Sequence, residues 1–368
     1  MEALFKLIRI GVGTEALEPG TAEALTDVDW PALEALASEQ GVSALAYDGL
    51  QKCYEANRGL VLPLDRVLKP VKYDWFGSVL NVEIKYEQMR KAGAELGDLF
   101  GSVGLRTLVL KGLSLALCYP VPQHRYSCDF DCFLMGSEQA SVPVSDRSAY
   151  EKGNLLVEAE GVKVDRFHYK HSAFEYKGIN VENHQFLTGW RGSRKWKGFE
   201  VELERMLEGE GALRPLEGTC LLVGPPMFNA LFLTRHAHQH FLIEDGITLR
   251  HVCDWAMFLR RFRDDLDWDT FMSICRRYGL ESFAGSMTRL AAYVCGIDAP
   301  VSGELMPEDR MLLKDILTVK GGGGSGRFGM ALRILRSGWK FRYFSDETRV
   351  GCLLRYAWGV FFDKKPRL

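Results

Sequence analysis

The sequence predicts an α+β fold: a small mixed β-sheet flanked by N-terminal and C-terminal helical regions. Three observations carry this. Apolar residues recur at helical spacing up to about residue 100 and again after about 225. Between these regions the period shortens to two, the mark of strands. One such strand, within SCDFDCFL, carries Asp129 and Asp131 one residue apart, so both carboxylates project from the same face. The chain has 368 residues, more than one compact core usually holds. Three regions are therefore expected: a helical region over 1–102, the α/β core over 103–205, and a helical region over 206–368.

The elements follow in order. MEALFKLIRIGVG has an acidic second residue and no cleavage pattern, so it is not expected to be a signal peptide. Asp29-Trp30-Pro31 opens a helix, with Asp29 as N-cap and Pro31 tolerated in the first turn. It runs through Ala32 to Glu39, and Gly41 suits its end. Val71 to Phe100 has a long helical pattern built on Trp75, Val79, Val82, Tyr86, Met89, Ala92 and Leu96.

A strand from Arg106 to Leu110 comes next. Lys111-Gly112 turns it into a short helix, and a Pro-rich loop leads to the Asp129/Asp131 strand. On that strand Cys128, Phe130, Cys132 and Leu134 are expected to fill the opposite, buried face. Ser148 to Glu160 reads as a helix. Val162 to Phe167, Ser172 to Tyr176 and Ile179 to Phe186 read as strands that extend the sheet in antiparallel fashion. Lys177-Gly178 is a two-residue hairpin turn between the last two. Pro225-Pro226 opens a helix through His240, and Leu249 to Arg261 is an amphipathic helix. Gly321 to Gly326 is low-complexity and is expected to be a mobile loop. Trp339 to Phe362 is expected to be a helix packed on the domain.

Composition excludes some classes. With 47% apolar and 26% charged residues the chain is ordinary for a soluble globular protein, and a net charge near −2 supplies no global field to gather nucleic acid. No apolar run approaches a membrane span. Nine cysteines without a CxxC pair suggest reduced thiols and a cytoplasmic location.

Two like charges on one strand cost free energy unless a cation sits between them, which points to a divalent metal. A third carboxylate is offered by Glu182, which shares a strand face with Asn180 and His184; Glu200, Glu202 and Glu204 are alternatives to it. Lys111, Gly112 and Ser114 make an anion-binding turn at the end of a strand, and Arg125 could add charge or pair with an acid to hold the loop. His236 and His240 share a helix face at i, i+4, but without an HExxH glutamate the simpler reading is a cleft-lining helix. Arg250 and Asp254 are also i, i+4; an intrahelical salt bridge and a substrate-orienting role weigh about equally. The basic, aromatic stretch 190–197 reads as a solvated loop.

LKGLSLALCYPVPQHRYSCDFDCFL resembles the LKG…YP-x-P…R-x-x-x-D-x-D motif of an uncharacterised nucleotidyltransferase family within the polymerase-β-like superfamily. KHSAFEYKGINVENHQ resembles that family's hairpin, and EDGITLRHVCDWAMFL its Asp-bearing helix. The resemblance implies a nucleotidyltransferase core, metal ligation of Mg2+ or Mn2+ by Asp129, Asp131 and Glu182, and an NTP donor. Lys111, Gly112, Ser114 and Arg125 would then bind the nucleotide. His184, His236, His240, Arg250 and Asp254 are the residues placed to meet an acceptor, expected to be a small molecule or a protein. Leu113 separates a Gly and a Ser that are usually adjacent, and Cys128 stands where many relatives have Gly. Those departures motivate the alternative, a catalytically inactive binding or antitoxin-like protein with the same fold.

Overall fold

A computed structural model describes the chain except residues 19–20, 22–24, 26–27, 57–70, 137–146, 190–192, 210, 245, 302, 319–333 and 355–368. The Gly-rich segment 321–326 and the end of the aromatic tail lie outside the described residues. Helices α1 (Glu2–Val12), α2 (Trp30–Glu39), α3 (Ser43–Ala56) and α4 (Lys72–Gly101) come first. Asp29 caps α2 as expected, its carboxylate accepting the Ala32 N–H at 3.1 Å.

The sheet is mixed and six-stranded. Its strands are β1 (Arg106–Val109), β2 (Asp129–Met135), β3 (His171–Tyr176), β4 (Ile179–His184), β5 (Arg214–Pro215) and β6 (Leu222–Val223), in the order β3-β4-β2-β1-β6-β5. The hairpin at Lys177-Gly178 forms with both residues at positive φ, 49° and 81°, the backbone of a tight antiparallel turn. The hairpin joins the sheet differently from expectation. Strand β4 runs parallel to β2, and only β3 is antiparallel to β4. Helix α6 (Arg147–Ala159) supplies the crossover that a parallel neighbour requires. Residues 162–167 form no strand of their own and contribute one isolated bridge, Asp165 to Ala173. The sheet also gains β5 and β6 from 214–223, beyond residue 205, where the α/β core was expected to end.

Each face of the sheet meets a different core. Phe130, Cys132, Leu134 and Val181 pack with Met89, Leu96 and Phe100 of α4. Gly93 lets α4 approach this face, since a Cβ there would lie 2.7 Å from the Phe130 ring. Leu108, Leu110, Phe133 and Met135 face the other way, into a larger helical core. Cys128 departs from expectation. It precedes the strand, is exposed, and sits 3.2 Å from the Tyr126 hydroxyl.

The larger core is shared by both ends of the chain. The later helices are α7 (Arg194–Met206), α8 (Pro226–Leu242), α9 (Leu249–Phe262), α10 (Trp268–Arg277), α11 (Glu281–Cys295), α12 (Pro307–Thr318) and α13 (Gly338–Phe344), after the single turn α5 (Leu113–Ala116). Of the stretch 190–197 expected to be a solvated loop, the described residues 193–197 instead open α7, with Ser193 as its N-cap and Trp196 buried under the Arg235 guanidinium. Arg9 Nη2 donates to the Tyr293 carbonyl at 2.6 Å, tying α1 to α11. Gln40 accepts the Leu249 N–H at 2.9 Å and donates to the Ile316 carbonyl at 3.1 Å. Among the described residues no helix is long and apolar enough to cross a membrane.

Candidate active site

The site sits where the face of β2 that meets the helical core runs out of apolar side chains. Below Phe133 and Met135 on that face come Asp131 and Asp129. Strand pairing sets Asp131 directly beside Glu182 and Phe133 beside His184. One carboxylate oxygen from each of Asp129, Asp131 and Glu182 lies within 4.8 Å of the others. Two of the three competing acids have partners elsewhere. Glu200 is buried and accepts the Leu187 and Thr188 N–H groups and the Thr188 hydroxyl. Glu202 pairs with Arg277 at 3.1 Å.

A cation is already present beside these acids. The Leu110 N–H donates to the Asp131 carbonyl at 3.1 Å, carrying the β1–β2 pairing up to Lys111. The Lys111 ammonium then lies 3.0 Å from Asp131 Oδ2 and 3.7 Å from Asp129 Oδ2. Burial pushes Lys111 down, but the three acids outweigh burial and raise it above its ordinary value. Asp129 is raised, first by its neighbour Asp131 and then by burial. Burial pushes Asp131 up, and Lys111 and His184 more than reverse this, so it remains ionised. Burial and the neighbouring Asp131 raise Glu182, and the His184 and His171 rings together outweigh them, leaving that carboxyl below its usual range. Three carboxylates against one ammonium leave two formal negative charges, the charge one divalent ion offsets. The donor set is all oxygen, which suits Mg2+ or Mn2+.

Gly112 follows with φ 65° and ψ −110°, a conformation that side chains disfavour, and caps α5. Helix α5 is only four residues long, so positive potential at the turn comes from Lys111 and local N–H groups more than from a helix dipole. Ser114 Oγ donates to the Lys111 carbonyl at 3.4 Å and braces the turn.

Beyond Lys111 a pocket opens between the Lys111 turn and helices α8, α9 and α11. Lys111, Arg125, Arg250, His236, His251 and Asp254 line it, over an apolar floor that includes Leu233, Trp255 and Phe283. The Asp254 carboxylate takes Arg125 in a bidentate pair at 2.7 and 2.8 Å and accepts the Tyr119 hydroxyl at 2.7 Å. The anticipated i, i+4 partner Arg250 is thereby replaced, and Arg125 holds its loop through Asp254 rather than through the strand acids. Burial pushes both His236 and His251 well below their ordinary values, so both rings are neutral.

His236 and His240 lie edge to face at 4.5 Å, and His240 pairs with Glu244 at 3.0 Å. Among the described residues, no three-ligand group includes either histidine. His184 does reach the acids: Nε2 is 3.1 Å from Asp131 Oδ1 and Nδ1 is 3.2 Å from the Phe186 carbonyl. Sequence reasoning missed His168 and His171, which crowd the same corner, their rings 4.3 Å apart. The H-x-x-H spacing just ahead of the hairpin is the signal that could have found them. It also missed the part played by Tyr119, although that residue is the Tyr of the YP-x-P motif, and His251, which carries no motif.

Acids fixed on adjacent strands, beside a pocket that opens past a Lys-Gly turn, form a layout compatible with a nucleotidyltransferase-like fold. The comparison with known families agrees: the chain belongs to the uncharacterised nucleotidyltransferase family, matched over residues 26–296. No curated protein and no solved structure matches the chain.

Proposed function

We propose that the protein transfers a nucleoside monophosphate from an NTP to a small-molecule or protein acceptor, with release of pyrophosphate, assisted by Mg2+ or Mn2+. The observation that carries this reading is the convergence of Asp129, Asp131 and Glu182 beside Lys111, which lines both the acid cluster and the cavity. Asp129, Asp131 and Glu182 would hold the ion. When bound, a divalent ion supplies Lewis-acid charge that activates the attacking oxygen and offsets charge on the phosphates. Lys111, the Gly112 turn and Ser114 hold the β- and γ-phosphates, and Arg250 adds positive charge from across the cavity. The Arg125–Asp254 pair fixes the loop behind them. Glu182 is ionised and reaches the cluster, which suits it to accept the proton of the attacking group. His184, His236 and the apolar floor shape the space for nucleoside and acceptor.

A second reading has its own support. Lys111 already neutralises part of the Asp pair, as it would in a fold kept for binding rather than transfer. Labelled-NTP binding with and without Mg2+ or Mn2+ separates the two. Transfer predicts metal-dependent binding that Asp129→Asn/Asp131→Asn weakens by at least about tenfold, a loss of about 1.4 kcal/mol. Metal-dependent binding that survives the double substitution would sink the site assignment, and binding indifferent to metal favours the second reading.

A further inference from the structure

The acid cluster has a nitrogen-rich flank on the side of β3. His171 on β3 pairs across the sheet with His184 on β4. His171 Nδ1 is 3.3 Å from Glu182 Oε2, and His184 Nε2 is 3.4 Å from the same oxygen. His184 Nε2 is also 3.1 Å from Asp131 Oδ1. His171 Nδ1 is buried and has no hydrogen-bond partner among the described residues, so its contact with Glu182 is a close approach without bonding geometry.

We propose that His171, His184 and Glu182 form a second cation site, selective for a zinc-like first-row transition ion, with Glu182 shared between it and the oxygen site of Asp129 and Asp131. Three features argue for it. First, ligands about 2.0–2.1 Å from a tetrahedral ion lie about 3.3 Å from one another, close to the distance of each imidazole nitrogen from Glu182 Oε2, and the three donors lie within 4.8 Å of one another. Second, the His184 Nδ1–H donates to the Phe186 carbonyl, which aims Nε2, the nitrogen a metal would take in place of a proton, at the acids. Such an outer hydrogen bond orients metal-bound imidazoles generally. Third, two imidazoles and one carboxylate suit Zn2+, Co2+ or Fe2+, whereas Mg2+ prefers oxygen. The ring of His168, 4.3 Å from that of His171, backs the site on its outer side.

Metal-stripped full-length protein titrated with CoCl2, without nucleotide, tests the proposal. Expected is one Co2+ per chain with intense visible d–d absorption of low-coordinate type, displaced by ZnCl2 and not by MgCl2. His171→Ala should weaken Co2+ binding by at least about tenfold, while Asp129→Asn changes it by less than about threefold. The wild-type spectrum decides even if the His171 variant fails to fold. No such absorption, or Co2+ displaced by Mg2+, overturns the site. Equal losses in both variants overturn it as well. His171→Ala should keep metal-dependent NTP binding in Mg2+, so failure here is distinguishable from failure of the transfer reading.

Discussion

At Lys111 a single side chain meets two demands. Its ammonium relieves the repulsion between Asp129 and Asp131, and its stem borders the cavity. Its position depends on Gly112. A Cβ there would find only ordinary contacts, the nearest 3.4 Å away at Ser127 Oγ, so the cost of a side chain comes from the backbone at φ +65°. Gly112→Ala should therefore cost about 1–3 kcal/mol of stability, read from denaturant midpoints, and should weaken NTP binding as the turn shifts. The Asp pair was legible because strand period alone puts i and i+2 on one face. Cys128 was misread for a related reason: period two applies only inside the strand, and the strand begins at Asp129.

The Pro-rich loop before β2 is held by an element-to-element bridge. His124 lies 2.8 Å from Asp48 of α3 and 2.9 Å from Glu83 of α4. Burial pushes its ring down, and the two carboxylates outweigh burial, so its pKa is raised. Between the ordinary histidine value of about 6.5 and the raised value, the folded state binds more protons than the unfolded state. This contribution is thus complete below about pH 6.5 and fades as pH rises through the raised value. Melting temperatures across neutral pH should show that decline in the wild type and lose it in His124→Gln; equal profiles would remove the bridge from the account. Element identity was largely legible, because α2, α4 and the β3–β4 hairpin rest on local signals: a cap, a 3.6-residue period and a two-residue turn. The direction of β4 against β2 was not, because a hairpin fixes its own register and leaves open which of its edges docks on the sheet.

Across the whole molecule, Asp254 joins regions that are far apart in sequence. From α9 it holds Arg125 and Tyr119, which flank the loop between α5 and β2. All three are buried. Removing one partner of a buried pair strands the other charge, so Asp254→Ala should cost about 3–5 kcal/mol in equilibrium unfolding. An Arg125→Met/Asp254→Leu double variant should cost less than Asp254→Ala alone, since neither charge is then left unpaired. The same assembly makes the cavity, whose walls come from the Lys111 turn, α8 and α9, while α1 and α3 help complete the core behind it.

The sequence by itself determined the mixed fold, the acid pair, the turn beside it and the family to which the chain belongs. Those features are written in spacings of two to four residues and in motifs the chain carries in order. Strand face and resemblance singled out Glu182, and tertiary structure set it beside Asp131 in place of Glu200 or Glu202. It also decided that Asp254 takes Arg125 rather than Arg250, and that His171 joins His184 at the acids. Each of these is a partner choice between segments distant in sequence, set by strand docking and buried charge, which no local period encodes.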